Sequence, residues 1–417
     1  MAEIVFIGDD FTGASDTLAT FAERGATVRL FLHAPEAGET DGLEVVGIAT
    51  DLRTRSPDEI GARLRVLAQA VMRLAPRFVH YKVCSTFDSA PEVGSIGAAV
   101  LALESAVGPD RTILLGGQPS LGRYCLFANL FARGPKGLTH RIDRHPIMRS
   151  HPVTPMDEAD LRIHLARQGL GDLALVDRTD LHSLSDPLGS DARRVLVDAV
   201  EQRDVDRLGE VLRGPARSGL TLLVGASGVA EALVPSGQAT MRPVEDAGPQ
   251  AGPILAIAGS RSSATAAQVD AASSYERLPV DPGDLAHNSQ LVERSVRLLS
   301  AGRNVLVHLQ PGTDYGCEPA ILSQFLAELT NTILGQCTPG GVAVAGGDTS
   351  SAVVERLGFR SLSFVKRMGS GVAVCRGHAI DGTVCRTTLL LKGGQVGDVD
   401  LFDRYAAEAA NSCDHSR

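Results

Sequence analysis

The chain has 417 residues, 44% of them hydrophobic, with 44 glycines, no tryptophan and a formal net charge of −9. That length exceeds what one core usually supports, so two domains are expected, and an acidic chain without a long basic block lacks the electrostatic footprint of a partner for nucleic acid or an anionic membrane. No apolar run is long enough to cross a bilayer and the start carries no basic segment leading into an apolar one, so a cytoplasmic protein is expected; the seven scattered cysteines show neither CxxC nor zinc-finger spacing and read as free thiols in a reducing compartment.

Glu3 to Ile7 reads as a buried strand, and Thr17 to Glu23 carries apolar residues at helical spacing. Between them lies Gly8-Asp9-Asp10-Phe11-Thr12-Gly13-Ala14. In an open α/β sheet the carboxyl end of a strand faces the ligand crevice, so Asp9 and Asp10 are expected in a binding site, where one acid can position a hydroxyl and another can attract magnesium. Helix capping by Asp9, Asp10 or Thr12 uses the same residue types and is the competing explanation. Further apolar runs at 44–49, 78–83, 112–115, 173–176 and 221–224 alternate with helical segments, the rhythm of a parallel, doubly wound sheet.

The run at 78–83 ends in Tyr81-Lys82-Val83-Cys84-Ser85-Thr86-Phe87-Asp88-Ser89. With Arg53, Arg55 and Arg123 it offers cations and hydroxyl donors suited to a small carboxylate or phosphate, although the hydroxyls can equally make local turns and the arginines can be solvated. His145 and His151, near Asp143, sit among prolines that prevent an i,i+4 pair, so they read as hydrogen-bonding loop residues rather than metal ligands. From Pro235 to Pro253 the sequence loses both periods and gains Pro, Gly and charge, which marks a linker.

A second set of strands is expected at 254–258, 305–309, 342–345 and 389–391, with helical spacing at 289–299 and 318–334. Three of these strands run into glycine-rich turns: Gly259-Ser260-Arg261-Ser262-Ser263, Gly346-Gly347-Asp348-Thr349-Ser350, and Lys392-Gly393-Gly394-Gln395-Val396-Gly397. One such turn has a purely steric explanation; three at successive strand ends point to phosphate, with Lys392 able to neutralise it. Neither GxxxxGK[ST] nor GxGxxG after the first strand is present, which disfavours a P-loop NTPase and a hydroxy-acid dehydrogenase.

The first turn, the Lys82 to Ser89 stretch, His151-Pro152-Val153-Thr154-Pro155-Met156, Gly346-Gly347-Asp348-Thr349 and Lys392-Gly393-Gly394 occur in one order that resembles the four-carbon acid sugar kinase family over nearly the whole chain. The resemblance implies a sugar-acid-binding domain at 1–236, a linker at 237–253 and an ATP-binding domain at 254–417. It places substrate positions at Asp10, Arg55 and Tyr81 to Cys84 with the following hydroxyls, and ATP positions at Ser260, Gly346 to Thr349, and Gly394 or Gly397. Family members acting on threonate or erythronate typically read Lys-Lys-x-Asp-Ser-Thr-Leu-Arg-Gly, whereas this chain has Cys84 for that aspartate and Asp88 for that arginine, a version similar to the branch acting on 3-oxo acids.

The expectation is therefore an α/β protein of two domains, each a mainly parallel sheet flanked by helices, with the active site in the interdomain cleft. It would be an ATP- and magnesium-dependent kinase for the terminal hydroxyl of a small sugar acid such as 3-oxo-tetronate or 3-oxo-isoapionate. Asp10 and Lys82 are the catalytic candidates; Asp9, Asp10, Arg55, Lys82, Cys84, Ser85, Asp88 and Arg123 would contact the acid; Ser260, Gly346, Gly347, Asp348, Thr349, Lys392, Gly394 and Gly397 would contact ATP; metal ligands are unassigned. The partners are the sugar acid and ATP, with no nucleic acid and no membrane, and a homodimer is allowed. The rivals are a threonate or erythronate kinase and a non-catalytic sugar-acid sensor.

Overall fold

Ile4-Val5-Phe6-Ile7-Gly8 is buried at every position, as a strand covered on both faces of a parallel sheet must be. This strand opens a computed structural model that describes residues 2–134, 137–151, 153–189, 192–214, 219–235, 251–379 and 384–411. The chain divides into two compact units, Met1–Met241 and Arg242–Arg417. Residues 237–250 of the expected linker, and Pro152 of the histidine-proline stretch, lie outside the described residues.

The first unit runs β1 (Ile4–Gly8), α1 (Phe11–Glu23), β2 (Val28–Phe31), β3 (Val45–Ala49), α2 (Pro57–Arg73), β4 (Phe78–Lys82), α3 (Ile96–Val107) and β5 (Arg111–Leu115). It continues through β6 (Arg123–Leu126), β7 (Asn129–Arg133), β8 (Thr139–Arg141), α4 (Leu161–Ala166), β9 (Ala174–Val176), α5 (Arg178–Ser183), β10 (Arg194–Val197), α6 (Gln202–Arg213), β11 (Thr221–Gly225) and α7 (Gly228–Leu233). The main sheet has the order β2-β3-β1-β4-β11-β5-β10-β9, and its pairings are parallel. Because the chain leaves β1 towards β3 on one side and returns to β4 on the other, the strand order reverses at β1, and a crevice opens there at the carboxyl ends. In α1, Phe11, Ala14, Leu18 and Phe21 share the buried face, and Phe21 stacks on Phe6 with centroids 5.8 Å apart. Gly47 makes this packing feasible: a Cβ there would stand 2.2 Å from the Phe6 ring.

The second unit runs β12 (Ile254–Ala258), α8 (Ser263–Ala271), β13 (Tyr275–Pro279), α9 (Ser289–Ser300), β14 (Asn304–His308), α10 (Pro319–Leu334), β15 (Gly341–Ala345) and α11 (Gly347–Arg356), then β16 (Ser361–Gly369), β17 (Val372–His378), β18 (Val384–Lys392) and α12 (Leu401–Asn411). Strands β13-β14-β12-β15-β18 are parallel, and β17 and β16 extend the sheet antiparallel. Here too the order reverses at the first strand of the unit, between β12 and β15. Among the described residues no helix is long and apolar enough to cross a membrane.

Two antiparallel features were not expected from the sequence. Strand β16 mixes polar, half-buried positions among its apolar ones and so lacks the continuous apolar run that marks the parallel strands, whereas β17 carries a short run at Val372–Cys375 that does not stand out between polar neighbours. The small sheet β6-β7-β8 is joined at its first hairpin by Phe127-Ala128 rather than by Asn-Gly, although both residues have left-handed backbone (φ 49° and 64°) as a two-residue hairpin requires. The buried Asp198 carboxylate holds this turn, accepting Phe127 N at 2.5 Å and Ala128 N at 3.0 Å. Phe127 itself is 57% exposed, so its ring offsets little of the backbone strain. Phe127→Asn should therefore raise the unfolding free energy by about 0.5–1 kcal/mol, read as a higher urea midpoint at unchanged slope; an unchanged or lower midpoint would assign the ring a packing role.

Candidate active site

At the carboxyl end of β1, Asp10 serves as N-cap of α1: its backbone is extended (φ −141°) and its Oδ1 accepts Gly13 N at 2.9 Å. Capping is only part of its bonding. Arg53 lies between Asp10 and Asp9, giving Nε to Asp9 Oδ2 (3.0 Å), Nη1 to Asp10 Oδ2 (3.0 Å), and Nη2 to Asp9 Oδ1 (2.8 Å) and Asp10 Oδ1 (2.9 Å). The loop carrying Arg53 is fixed to the β1 turn by Arg53 N to Asp9 O (2.9 Å) and Thr50 Oγ1 to Gly8 O (2.6 Å), and its far side enters α2 through a Ser56–Glu59 capping box. Burial raises the Asp9 carboxyl above its usual range, with Asp10 adding to the rise and Arg53 opposing it. Lys82, buried at the end of the neighbouring β4, donates Nζ to Val83 O at 2.8 Å. A Cβ on Gly13 would stand 2.5 Å from both Asp10 Oδ1 and Lys82 Nζ, so the absent side chain lets carboxylate and ammonium converge.

After β4 the chain turns through Cys84 to Phe87, closed by Phe87 N to Cys84 O at 3.0 Å, with Phe87 left-handed (φ 53°) and its ring buried. Cys84 Sγ meets Thr86 Oγ1 at 2.9 Å, Thr86 Oγ1 donates to Asp88 Oδ1 at 2.5 Å, and Thr154 Oγ1, itself 3.0 Å from His151 Nδ1, donates to Asp88 Oδ2 at 3.4 Å. Asp88 is thus spent inside the turn. Burial pushes the Cys84 thiol up to about 11, Asp88 adding to it, which leaves a protonated thiol at neutral pH rather than a nucleophile. Arg123, at the start of β6, has no carboxylate partner among the described residues: Nη1 donates to Leu121 O at 2.9 Å, and Nε is buried without a partner. Burial lowers this guanidinium from its ordinary value, with nearby Cys84 acting in the opposite sense.

In the second unit, β12, β15 and β18 are adjacent strands, and the three glycine turns leave their carboxyl ends side by side. Gly259 N and Ser260 N both donate to Ala345 O at 3.0 Å, and Gly346 N donates to Lys392 O at 3.0 Å, so each turn is tied to the end of a neighbouring strand. Gly346 has φ +126°, closed to L side chains, and lies at the N-cap of α11, where it offers no capping side chain. The helix's first backbone bond is Ser350 N to Gly346 O at 2.8 Å. The open N–H groups of Gly347, Asp348 and Thr349 face a cavity of about 170 Å³ lined by Gly259, Ser260, Gly394 and the first turn of α11, with Leu309, Pro319 and Leu322 as an apolar wall.

The structure brings together Asp9, Asp10, Lys82 and Arg53 in one cluster, Cys84 near Arg123 beside it, and Ser260, Gly346, Gly347, Asp348, Thr349 and Gly394 around one cavity. Ser85 is half-buried on the Cys84 turn. Three expected residues fall elsewhere. Arg55 pairs with Asp51 and Glu59 at the start of α2, and Arg53 takes the place by the acids, because the tight turn at Leu52–Thr54 points the two arginines in different directions. Lys392 is buried behind the cavity with Nζ donating to Thr265 Oγ1 at 3.0 Å, and Gly397 (φ +90°) offers its carbonyl to Gln268 Nε2 at 2.9 Å; neither lines the cavity. The apolar wall from α10 escaped notice because Pro319 and Leu322 look like ordinary residues of an amphipathic helix. His145 and His151 each accept backbone N–H groups of their own loop, and no cluster able to hold a metal occurs among the described residues.

Acids, arginines and a lysine at one switch point, and an open helix end among glycine turns at another, define a protein of two α/β domains, one for a polar small molecule and one for a phosphate-bearing ligand. Residues 4–233 match the family described as sugar-binding N-terminal domain and residues 255–402 that described as nucleotide-binding C-terminal domain. The chain belongs to the four-carbon acid sugar kinase family. It is 32% identical to a 3-oxo-isoapionate kinase of Paraburkholderia graminis, covering 96% of this chain and 93% of that protein. It is 31% identical to a 3-oxo-tetronate kinase of Cupriavidus necator (95% of each) and 28% identical to a D-threonate kinase of Salmonella typhimurium (96% of this chain, 97% of that protein). Crystal structures of a Salmonella typhimurium protein (TM-score 0.78, 24% identity, 97% of this chain and 98% of that one) and of a Haemophilus influenzae protein (TM-score 0.74, 24% identity, 97% and 99%) share the fold.

Lys392 gives the nucleotide-binding unit a titration of its own, since burial pulls its ammonium down to about 8 from an ordinary value of 10.5. Below the lower value both folded and unfolded chains hold the proton; between the two values the folded chain has released a proton that the unfolded chain keeps, so stability contributed by this group rises with pH there. The difference in urea midpoint between wild type and Lys392→Met should therefore shift in favour of wild type from neutral pH to about pH 10. A difference that stays flat would place the Lys392 proton elsewhere.

Proposed function

We propose that this chain transfers the γ-phosphoryl group of ATP to the terminal hydroxyl of a small 3-oxo sugar acid, with 1–236 holding the acid, 254–417 holding ATP and 237–253 connecting them. The observation that carries the reading is the open N-terminus of α11 among three glycine turns, in one chain with the Asp9–Asp10–Arg53 cluster of a sugar-binding domain. The first is a mould for phosphate oxygens; the second is a set of groups for orienting a hydroxyl. The acid's carboxylate goes to Arg123, whose guanidinium lacks an anionic partner among the described residues.

Asp10 Oδ2 accepts one hydrogen bond in this structure, from Arg53, and keeps a lone pair for the proton of the attacking hydroxyl. The hydroxyl oxygen forms its bond to the γ-phosphorus as the bond to the ADP oxygen breaks, and the proton passes to Asp10. Lys82, converging on the same point, stabilises the negative charge that develops. Magnesium fits the second unit: Asp348 lines the cavity, and its carboxylate has no hydrogen bond or ion pair among the described residues, as suits an ion held by one carboxylate and the nucleotide's phosphates. When bound, the ion neutralises phosphate charge. We assign the enzyme to the cytoplasm, a compartment that supplies ATP and keeps scattered thiols reduced.

The 3-oxo preference rests on the Cys84–Asp88 turn. Asp88 is consumed by Thr86 and Thr154, so the turn presents a thiol and hydroxyls where the threonate pattern has an acid and an arginine. A ketone accepts but cannot donate, and a site arranged for it leaves a polar group unpaired with the corresponding alcohol, at about 1–3 kcal/mol per buried group. The relatives named for 3-oxo acids, at 32% and 31% identity, support the same assignment. ADP release measured over 3-oxo-tetronate, 3-oxo-isoapionate, threonate and erythronate tests it: kcat/KM should favour a 3-oxo acid by about ten- to a hundredfold. A clear preference for threonate or erythronate would refute the 3-oxo assignment, and stabilisation by the acid without any ADP release would make the chain a sensor.

Asp10→Asn keeps a good helix cap and removes the base. Turnover should fall more than about tenfold, with the affinity for ATP nearly unchanged. Near-normal turnover would reduce Asp10 to its cap.

A further inference from the structure

Gln118 follows β5 in the first unit and is only 3% exposed. Its backbone is paired directly with Arg123, Gln118 N to Arg123 O at 3.0 Å and Arg123 N to Gln118 O at 3.2 Å. Residues that exchange both bonds stand about 5.5 Å apart at Cα with side chains on the same face. The amide orientation is fixed chemically. Nε2 donates to Glu231 Oε1 at 3.1 Å, the oxygen that also accepts Ser120 Oγ at 2.6 Å, while Arg24 Nη2 approaches Glu231 Oε2 at 3.8 Å. A carboxylate oxygen accepts and does not donate, so the NH₂ faces Glu231 Oε1 and the amide Oε1 faces away from it. That Oε1 is buried and receives no donor among the described residues.

A buried acceptor left without a donor is rare in a native fold and calls for a ligand or a water. Beside it, on the same face, Arg123 is a cation whose described partners are backbone carbonyls. One residue awaits an anion, its cross-strand neighbour a donor. The geometry points to Gln118 as a specificity-determining residue that accepts the 2-hydroxyl of the acid whose carboxylate Arg123 holds. Carboxylate and 2-hydroxyl sit on adjacent carbons, a spacing that two side chains paired across a hairpin can span. Glu231 is then a positioning residue: it contacts no substrate and sets which end of the amide does. This inference rests on the kinase reading above.

The test crosses enzyme with substrate. Wild type and Gln118→Met, a near-isosteric change, are assayed by ADP release on 3-oxo-tetronate and on 4-hydroxy-3-oxobutanoate, the same acid without its 2-hydroxyl. Wild type should prefer the 2-hydroxy acid by about tenfold or more in kcat/KM, and Gln118→Met should bring the two within about twofold, chiefly by losing activity on 3-oxo-tetronate. Should Gln118→Met fail to fold, Glu231→Gln, which frees the amide to turn, should shrink the same preference while sparing the deoxy acid. A preference that survives in the folded variant, or equal losses on both acids, overturns the role of Gln118, as does a bound-acid structure in which Oε1 accepts from water alone. If wild type turns over neither acid nor any other sugar acid, the kinase reading itself falls and takes this inference with it.

Discussion

Two carboxylates on consecutive residues at the end of one strand repel each other, and Arg53 is what lets them coexist. Its planar guanidinium reaches both oxygens of Asp9 and both of Asp10, a fork-shaped match that an ammonium could not make. The rest of the substrate-binding unit is arranged around that contact. The loop from β3 is fixed by its backbone to the β1 turn, Gly13 leaves room for Lys82 to approach from β4, and Asp9, buried beneath, provides the charge that keeps the guanidinium in place. Asp10 is then both a structural cap and a half-buried carboxylate paired with Arg53, which is why its residue type alone could not separate capping from a place in the cluster.

The helix ends of the two units differ in the chemistry they offer. The first turn of α1 is capped by Asp10, so its N–H groups are partly spent and negative charge is already present. The first turn of α11 is preceded by Gly346, which caps nothing, so its donors remain for an anion brought from outside. Both lie where the strand order of their sheet reverses. The sequence places an acid before one helix and a glycine before the other, and that single difference separates a capped, acidic helix end from one whose first-turn donors stay open.

Much of this was legible in the sequence because parallel strands are buried on both faces and announce themselves as continuous apolar runs, as Ile4 to Gly8 and Ile254 to Ala258 do. The glycine turns follow those runs directly, so the Ser260, Gly346 and Gly394 cavity could be anticipated. Arg53 and Arg55 could not be ranked, since a 3₁₀ turn of three residues decides which of two arginines faces the acids. Lys392 was misplaced for a related reason: a strand's last side chain can point to either face, and this one points into the core towards Thr265. Hairpin β6–β7 gave no signal because Phe-Ala replaces the usual turn pair, and the pairing of Gln118 with Arg123, an isolated bridge across the Pro119–Gly122 turn, lies outside any strand run that periodicity could mark.

The ties between the glycine turns have a consequence for binding kinetics. Ala345 O takes two N–H groups from the turn after β12, and Lys392 O takes one from the turn after β15, so the three strand ends are laced into one rigid rim. For a nucleotide held there as proposed above, a rim already ordered would demand little conformational entropy at the moment of capture, and association would be governed by diffusion and orientation rather than by loop closure. Discrimination among nucleotides would then reside in how long each one stays.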